Sequence, residues 1–497
     1  MPIRFGTDGW RAVISEEFTF DNVRRVAQAI AHFLGESAAG RDPSSDPPLP
    51  LALLGVGDFA GRDPVAVVGF DTRFLSDRYA IEVARVLAGN GITVHLTRSA
   101  APTPAVSLAV KQLKADGGVM ITASHNPPRY NGIKLKAAYG GSASGEDCRR
   151  VEMFTESLHE LNMMDFEAAQ SRGLIQRFDA AGAYLAHLDT LVDRAAVAAR
   201  PGRLVIDSMY GAGAGYVARW LHGTGWEAVE IRSDLNPGFG GIYPEPIRKN
   251  LDETVAAVAA ANASGARRAF AVVTDGDADR IGAIDEAGEF VDPHRIFALA
   301  LLYLAQARGW RGSVVKTVST TLMIDRICRA YGLTLHETPV GFNYIADRMM
   351  TEDVLIGGEE SGGISIKGHI PEGDGVLCGA LLAEIVAQRG AALRDLIADL
   401  QSAYGPAHYA RRDVHLKRPI SKTEMVSRLV EGAPGSIAGT PVRAANRLDG
   451  AKFLLVDDSW LLIRPSGTEP VLRVYAESSD PKMVDALLSY GESVAGA

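Results

Sequence analysis

The sequence predicts an α/β protein of three related α/β domains with mixed sheets, followed by a smaller C-terminal α+β domain. Two observations predict it: a strand, helix, strand pattern recurs three times along the chain, and the pattern changes to closely spaced strands from about His408. Between 66 and 97 a β-branched run gives way to helical periodicity, stops at Gly91 and returns to a strand. The stretch from Arg203 repeats this with its stop at Gly225, and the stretch from Gly312 repeats it with its stop at Gly332. Units of this kind build parallel or mixed sheets, and three copies at comparable spacing argue for related domains where one copy would not. "FLLVDDSWLLIRPSGTEPVLRVYAES" reads as strands joined by tight loops, and "DPKMVDALLSYGESVAG" as a closing helix. The expected domains are 1–165, 166–287, 288–405 and 406–497, and the Pro-, Gly-, Ser- and Asp-rich stretch at about 38–64 reads as a loop insertion in the first.

The composition of the 497 residues, 47% apolar and 22% charged, is that of a soluble globular chain with material for several cores. A net charge of −9 argues against a nucleic-acid partner, so an anionic small substrate would need a local positive pocket. No apolar run approaches the ~20 residues of a membrane span, and "FALALLYLAQA" at 297–307 reads as a buried helix. The N-terminus shows no secretory signal, and Cys148, Cys328 and Cys378 are scattered without metal-ligand spacing. A cytoplasmic protein with reduced thiols and no membrane partner is the expectation.

Four stretches carry candidate chemistry. "VMITASHNPPRYNGIKLK" ends a strand at Ser124 and His125, because the two prolines forbid its continuation, and a strand end in an α/β sheet faces ligands. Alone, this pair is better read as a turn with a local hydrogen bond. "AFAVVTDGDADRIGAIDE" places Asp275, Asp277 and Asp279 at alternate positions after a buried-type strand. Small Gly276 and Ala278 let the carboxylates converge, their mutual repulsion calls for a cation, and oxygen ligands select a hard one such as Mg2+. A calcium EF-hand loop is rejected, because its sixth position is Arg280 instead of glycine and its flank reads as a strand. Arg280 supplies a cation suited to phosphoryl oxygens.

In "GGEESGGISIKGHIPEGDG", Glu359 and Ser361 lie in a glycine-rich loop suited to sugar hydroxyls. In "RPSGTEP", Arg464, Ser466, Gly467 and Thr468 form a tight loop with a guanidinium, two hydroxyls and backbone N–H groups, a cradle for phosphate as well as an ordinary hairpin turn.

The motifs "TASHNP", "DGDADR", "GEESGG" and "RPSGTEP", in that order and preceded by "FGTDGWR", resemble those of the α-D-phosphohexomutases, the phosphoglucomutase and phosphomannomutase family. The resemblance implies four domains around a central cleft. It implies that Ser124 bears a phosphoryl group and that Asp275, Asp277 and Asp279 hold a Mg2+ that also touches Ser124. Glu359 and Ser361 would bind sugar hydroxyls, and Arg464, Ser466, Gly467 and Thr468 the non-reacting phosphate. Lys134 would be the general acid and base, with Arg11, His125 and Arg280 as supporting cations or donors. The implied reaction interconverts glucose 1-phosphate and glucose 6-phosphate through a hexose 1,6-bisphosphate, with a phosphomannomutase or dual-specificity enzyme as the alternative. A Mg2+-dependent sugar phosphatase and a non-catalytic sugar-phosphate sensor are further alternatives. The partner is a hexose phosphate, and the chain a monomer or homodimer. Three positions depart from the family pattern: Gly363 where many relatives carry histidine, Asn343 where a lysine is found, and Gly373 where a basic residue is frequent, with His369 as a possible compensation.

Overall fold

The computed structural model describes residues 3–6, 9–38, 63–158, 160–264, 267–415, 421–465 and 471–495. Nearly all of the insertion expected at about 38–64, and Ser466, Gly467 and Thr468, lie outside the described residues. The chain divides into two units, residues 1–292 with 361–393, and residues 293–360 with 394–497.

In the first unit, one sheet comprises β1 (Trp10–Val13), β2 (Val65–Phe70), β3 (Thr93–Thr97), β4 (Gly117–Ile121), β5 (Tyr130–Ala137) and β6 (Ile175–Phe178), in the order β1-β5-β4-β2-β3-β6. β4, β2, β3 and β6 run parallel, whereas β5 is antiparallel to both β4 and β1, which makes the sheet mixed. β6 joins this sheet although the sequence assigned its residues to the second domain. A second sheet comprises β7 (Arg203–Asp207), β8 (Glu227–Ile231), β9 (Ala269–Thr274), β10 (Ile281–Ile284) and β11 (Phe290–Val291), ordered β11-β10-β9-β7-β8. β7, β8 and β9 are parallel, and β9 turns back on β10 as an antiparallel hairpin. β2 and β4 are buried nearly throughout and β9 is fully buried, as expected of strands covered on both faces.

In the second unit β12 (Ser313–Thr317), β13 (Leu335–Thr338) and β14 (Val354–Gly358) pair in parallel. Each predicted strand, helix, strand unit is present: helices Ser76–Gly89, Tyr216–Leu221 and Met323–Tyr331 connect β2 to β3, β7 to β8 and β12 to β13. The third ends at Gly332, whose φ of 62° is the left-handed C-cap that glycine adopts without strain. The helix Pro293–Gln306 contains the apolar run noted above and is largely buried, and no single described helix is long and apolar enough to cross a membrane. The three cysteines are buried and unbridged.

The segment 361–393, expected within the third domain, groups with the first unit. It contains the short strand β15 (Ile364–Ile366) and the helix Gly375–Arg389, capped by the Asp374 carboxylate on the Leu377 N–H at 2.8 Å. The last sheet is antiparallel: β16 (His408–His415), β17 (Ser436–Ile437), β18 (Thr440–Asn446), β19 (Ala451–Leu455), β20 (Trp460–Pro465) and β21 (Val471–Ser478), ordered β16-β21-β20-β19-β18-β17. Leu461, Ile463, Val474 and Ala476 form a core with Met425 and Leu429 of the helix Lys422–Glu431 and with Val484 and Leu487 of the helix Pro481–Ala495. The α+β expectation for the C-terminal domain is met.

Within the first unit the loop 368–375 is bolted to the first sheet by a buried ion pair. Lys136 on β5 lies 2.6 Å from Glu372, which also accepts from Ser107 Oγ at 2.9 Å. Because both side chains are almost wholly buried, removing one charge strands the other. Glu372→Gln is expected to cost about 3 kcal/mol, read as a lower denaturation midpoint. The paired change Lys136→Met with Glu372→Leu should recover part of it.

Candidate functional site

Ser124 lies just past the end of β4 with φ of 50°, a left-handed conformation that turns the chain sharply at the strand end. Its N–H donates to Thr122 Oγ1 at 2.8 Å, and four main-chain carbonyls of this turn are gathered by one buried guanidinium. Arg73 donates to the oxygens of Ser124 (2.6 Å), Asn126 (2.7 Å), Pro127 (2.9 Å) and Tyr130 (3.0 Å). Its Nε lies 3.2 Å from Asp71, and Phe239 covers its face at 4.9 Å. Burial pushes the Asp71 carboxyl up and the Arg73 guanidinium down, an effect their pairing partly offsets. Arg11, on β1, donates to Asn126 Oδ1 at 2.8 Å and steadies the far side of the loop.

The aspartates occupy the tight hairpin loop between β9 and β10, the strand-flanked setting that excludes an EF-hand. This loop meets the serine turn directly. Ser124 Oγ donates to Asp275 Oδ2 at 2.9 Å, and a Cβ at Gly276 would stand 2.5 Å from the Ser124 carbonyl oxygen. Thr103 closes the contact from the first domain, its N–H on the Asp277 carbonyl at 2.9 Å and its hydroxyl on Asp277 Oδ2 at 2.6 Å. From the other side the Gly375 N–H donates to the Ala278 carbonyl at 3.0 Å. A Cβ at Gly373 would stand 2.7 Å from the Asp279 carbonyl and 2.9 Å from Gly363 Cα, so the basic residue frequent in relatives does not fit this packing.

One oxygen from each of Asp275, Asp277 and Asp279 lies within 4.8 Å of the other two. Burial, then the charges of Asp279 and Asp277, push the Asp275 carboxyl well above its usual range. Burial also opposes the charge on Asp277, but Lys134 and the Thr103 hydroxyl outweigh it and hold that carboxyl low. Lys134, buried on β5, lies 3.0 Å from Asp277 and 2.7 Å from Asp279. Asp277 Oδ1 is buried with no hydrogen-bond partner among the described residues, and an all-oxygen set with an unused buried acceptor fits a hard divalent cation.

His125 Nδ1 lies 3.3 Å from Ser124 Oγ. Burial, then the cations Arg280, Arg11, Lys134 and Arg73, push the His125 imidazole well below its usual range. Of the two roles expected of it, supporting cation or donor, this favours the donor. The Arg280 N–H donates to Asp275 Oδ1 at 3.2 Å, while its guanidinium lies 3.9 Å from both Asp279 and Glu245.

The remaining sites distribute between the units. Ser361 belongs to the first and Glu359 to the second, where Glu359 Oε1 accepts from the Gly341 N–H at 2.9 Å. Glu360 accepts from Ser319 Oγ at 2.6 Å. Asn343, the departure from lysine, has a buried Oδ1 without a hydrogen-bond partner among the described residues. His369 does not compensate for Gly373: its side chain is buried, 3.0 Å from His187 and 3.0 Å from Asp374, turned into the protein. Arg464, on β20, pairs with Asp449 at 2.7 Å.

Arg73, Thr103 and Asp71 escaped the sequence reading. The signal was present in "GFDTRFLS", where charged residues follow the buried strand β2 directly. The contact of Gly276 with Ser124 makes a sharp expectation. Gly276→Ala should separate the serine from the carboxylates and lower kcat by about 100-fold, with only modest loss in the denaturation midpoint, measured on the folded variant.

The chain matches the phosphoglucomutase/phosphomannomutase α/β/α domain I at 53–161, domain II at 182–288, domain III at 292–404 and the C-terminal domain at 424–489. It is 30% identical over 489 residues to a phosphoglucomutase/phosphomannomutase of Thermococcus kodakarensis, covering 98% of this chain and 97% of the relative. It is also 30% identical over 483 residues to a phosphoglucosamine mutase of Corynebacterium jeikeium, covering 96% and 95%. A crystal structure from Thermus thermophilus, provisionally assigned as a phosphomannomutase, superposes with a TM-score of 0.83 at 34% identity over the full length of both chains. With a serine turn and an aspartate loop locked together, all four domain families matched in sequence order, and relatives aligned end to end, the chain belongs to the phosphoglucomutase/phosphomannomutase family, the α-D-phosphohexomutases.

Proposed function

We propose that this protein interconverts hexose 1-phosphate and hexose 6-phosphate, with glucose phosphate as the preferred pair, by way of a phosphoryl group carried on Ser124 and a hexose 1,6-bisphosphate. The observation that carries this reading is the Ser124 hydroxyl itself, nearly inaccessible at 1% exposure and 2.9 Å from one of three convergent carboxylates. A structural serine has no need of such neighbours, whereas a phosphoryl carrier needs positioning and charge neutralisation above all.

In the proposed first half-reaction the free hydroxyl of the sugar phosphate attacks the phosphorus on Ser124. The bond from phosphorus to the serine oxygen breaks and the sugar leaves doubly phosphorylated. After the bisphosphate reverses end for end, its other phosphate returns to Ser124. We assign to Lys134, as the free amine, uptake of the proton from the attacking hydroxyl and its return to the leaving oxygen. Its ion pairs with Asp277 and Asp279 place it at the site and must open for that role. Arg73 holds the serine turn through main-chain carbonyls, so the nucleophile does not drift between half-reactions. Arg280 and Arg11 offer guanidinium groups to phosphoryl oxygens, and the neutral His125 offers a ring nitrogen. Asp275, Asp277 and Asp279, with the serine oxygen, would hold a Mg2+ ion, which when bound neutralises charge on the transferring group. Glu359 and Ser361 are assigned to sugar hydroxyls, and Arg464 to the phosphate that does not react.

A broader sugar range has support in the relatives: the Thermococcus protein is named for glucose and mannose, and the Corynebacterium protein for glucosamine. Coupled assays with the 1-phosphates of glucose, mannose and glucosamine, each primed with a trace of the 1,6-bisphosphate, test the reading. Stimulation by the bisphosphate without release of free phosphate supports a mutase, and the rank of the three sugars decides the preference. Ser124→Ala is expected to keep its denaturation midpoint and lose turnover to the detection limit, and peptide mass analysis of the parent should find phosphate on Ser124. Thorough chelation is expected to abolish turnover and added Mg2+ to restore it. Undiminished turnover after chelation refutes the role of the aspartate trio.

A further inference from the structure

The C-terminal sheet contains a carboxylate whose three partners lie on different parts of the second unit. Asp449 sits in the turn just before β19, and the antiparallel register of β19 on β20, with Ala451 opposite Ile463, brings it beside Arg464. It is 6% exposed. Asp449 Oδ2 accepts from Arg464 Nε at 2.7 Å and from the Val340 N–H at 3.1 Å, while Oδ1 pairs with the Lys422 ammonium. The next N–H along the chain, that of Gly341, donates to Glu359 Oε1 at 2.9 Å. Two consecutive main-chain donors thus tie the 339–341 loop to two carboxylates. One of these holds Arg464, and the other is the residue assigned to the sugar.

We propose that Asp449 is a positioning residue, which fixes the plane of the Arg464 guanidinium and couples it through Val340 and Gly341 to Glu359. The inference rests on the reading of Arg464 as the group that grips the non-reacting phosphate. An arginine held through Nε by a buried carboxylate is fixed about its long axis, so the two terminal nitrogens present one orientation to a bidentate anion. Burial opposes the charge on Asp449, but Arg464 and Lys422 outweigh it, consistent with an anion that both cations hold in place. Lys422 takes Oδ1 alone. The second oxygen is instead shared between the phosphate arm and the loop that holds Glu359, and this geometry joins phosphate grip to sugar placement.

The test is a double-mutant cycle on the full chain with glucose 1-phosphate as probe. Arg464→Ala should lower kcat/KM at least ~10-fold; if it does not, the assignment of Arg464 to phosphate fails, and this inference with it. If it does, Asp449→Asn should raise KM about 10-fold with kcat within about threefold, the mark of lost uniform binding. Combined with Arg464→Ala it should add less than about twofold, because both changes remove one unit. Lys422→Met, which removes only the partner of Oδ1, should lower the denaturation midpoint and leave KM within about twofold. An unchanged KM in Asp449→Asn, full additivity with Arg464→Ala, or a Lys422→Met variant with the same KM defect overturns the inference while leaving the reading of Arg464 intact. Should Asp449→Asn fail to fold, Asp449→Glu, which keeps the charge and displaces it by one methylene, is judged by the same criteria.

Discussion

The contact between the Ser124 turn and the Gly276 loop is the constraint on which the site depends. Two strands from two different sheets end in loops that meet through the Ser124 hydroxyl on the Asp275 carboxylate, and a methyl group at Gly276 has no room against the Ser124 carbonyl. Neither loop is placed by its own sheet alone. Arg73 ties the serine turn from below through four carbonyls, and Thr103 ties the aspartate loop through a main-chain and a side-chain bond. Segment 362–375 then braces the aspartate loop from behind, with the Ile281 N–H on the Gly362 carbonyl and the Gly375 N–H on that of Ala278. On the proposed reading, in which the serine carries a phosphoryl group beside a bound cation, a site fixed on three sides keeps its reacting groups in register.

The electrostatics follow from that packing. Burial, then the charges of Asp279 and Asp277, push the Asp275 carboxyl up, whereas Lys134 and the Thr103 hydroxyl hold Asp277 low against its own burial. Lys134 sides with Asp277 and Asp279. The same ring of cations that suits a phosphoryl group makes a charged His125 unfavourable. Cations and carboxylates are therefore concentrated together at this site, within a chain whose net charge is −9. The global charge says little about what such a pocket accepts.

The chemistry-bearing motifs were legible because strand ends announce themselves: a β-branched run, then small and polar residues that cannot continue it. Ser124 and the aspartates stand where that pattern places them, and each of the three repeats predicted one strand, helix, strand unit that the structure contains. What stayed hidden depends on separation in sequence. Glu372 meets Lys136, Arg73 meets a turn some fifty residues on, and Asp449 meets Val340. No local pattern distinguishes these residues from solvated surface charges, because their partners become neighbours only when the sheets assemble. The downward push on His125 was hidden for the same reason, since it comes from burial and then from four cations brought from separate parts of the chain.

The departures from the family pattern also become intelligible as packing rather than as altered chemistry. At Gly373 a side chain would press on the carbonyl of Asp279 and on Gly363, so two of the three departures are a matched pair of small residues in one contact. Replacing Gly373 by the larger residue of a relative would push on the loop that bears the aspartates. His369, which sequence proximity made a plausible substitute for the missing basic residue, is committed to His187 and Asp374 behind that contact. Asp374 in turn caps the helix Gly375–Arg389 and accepts from the Tyr184 hydroxyl at 2.8 and 2.7 Å. A residue that already anchors a helix cap through its partner has no freedom to reach a ligand. Asn343, the third departure, is not part of that contact: its buried Oδ1 has no hydrogen-bond partner among the described residues and lies two residues from the N–H that holds Glu359.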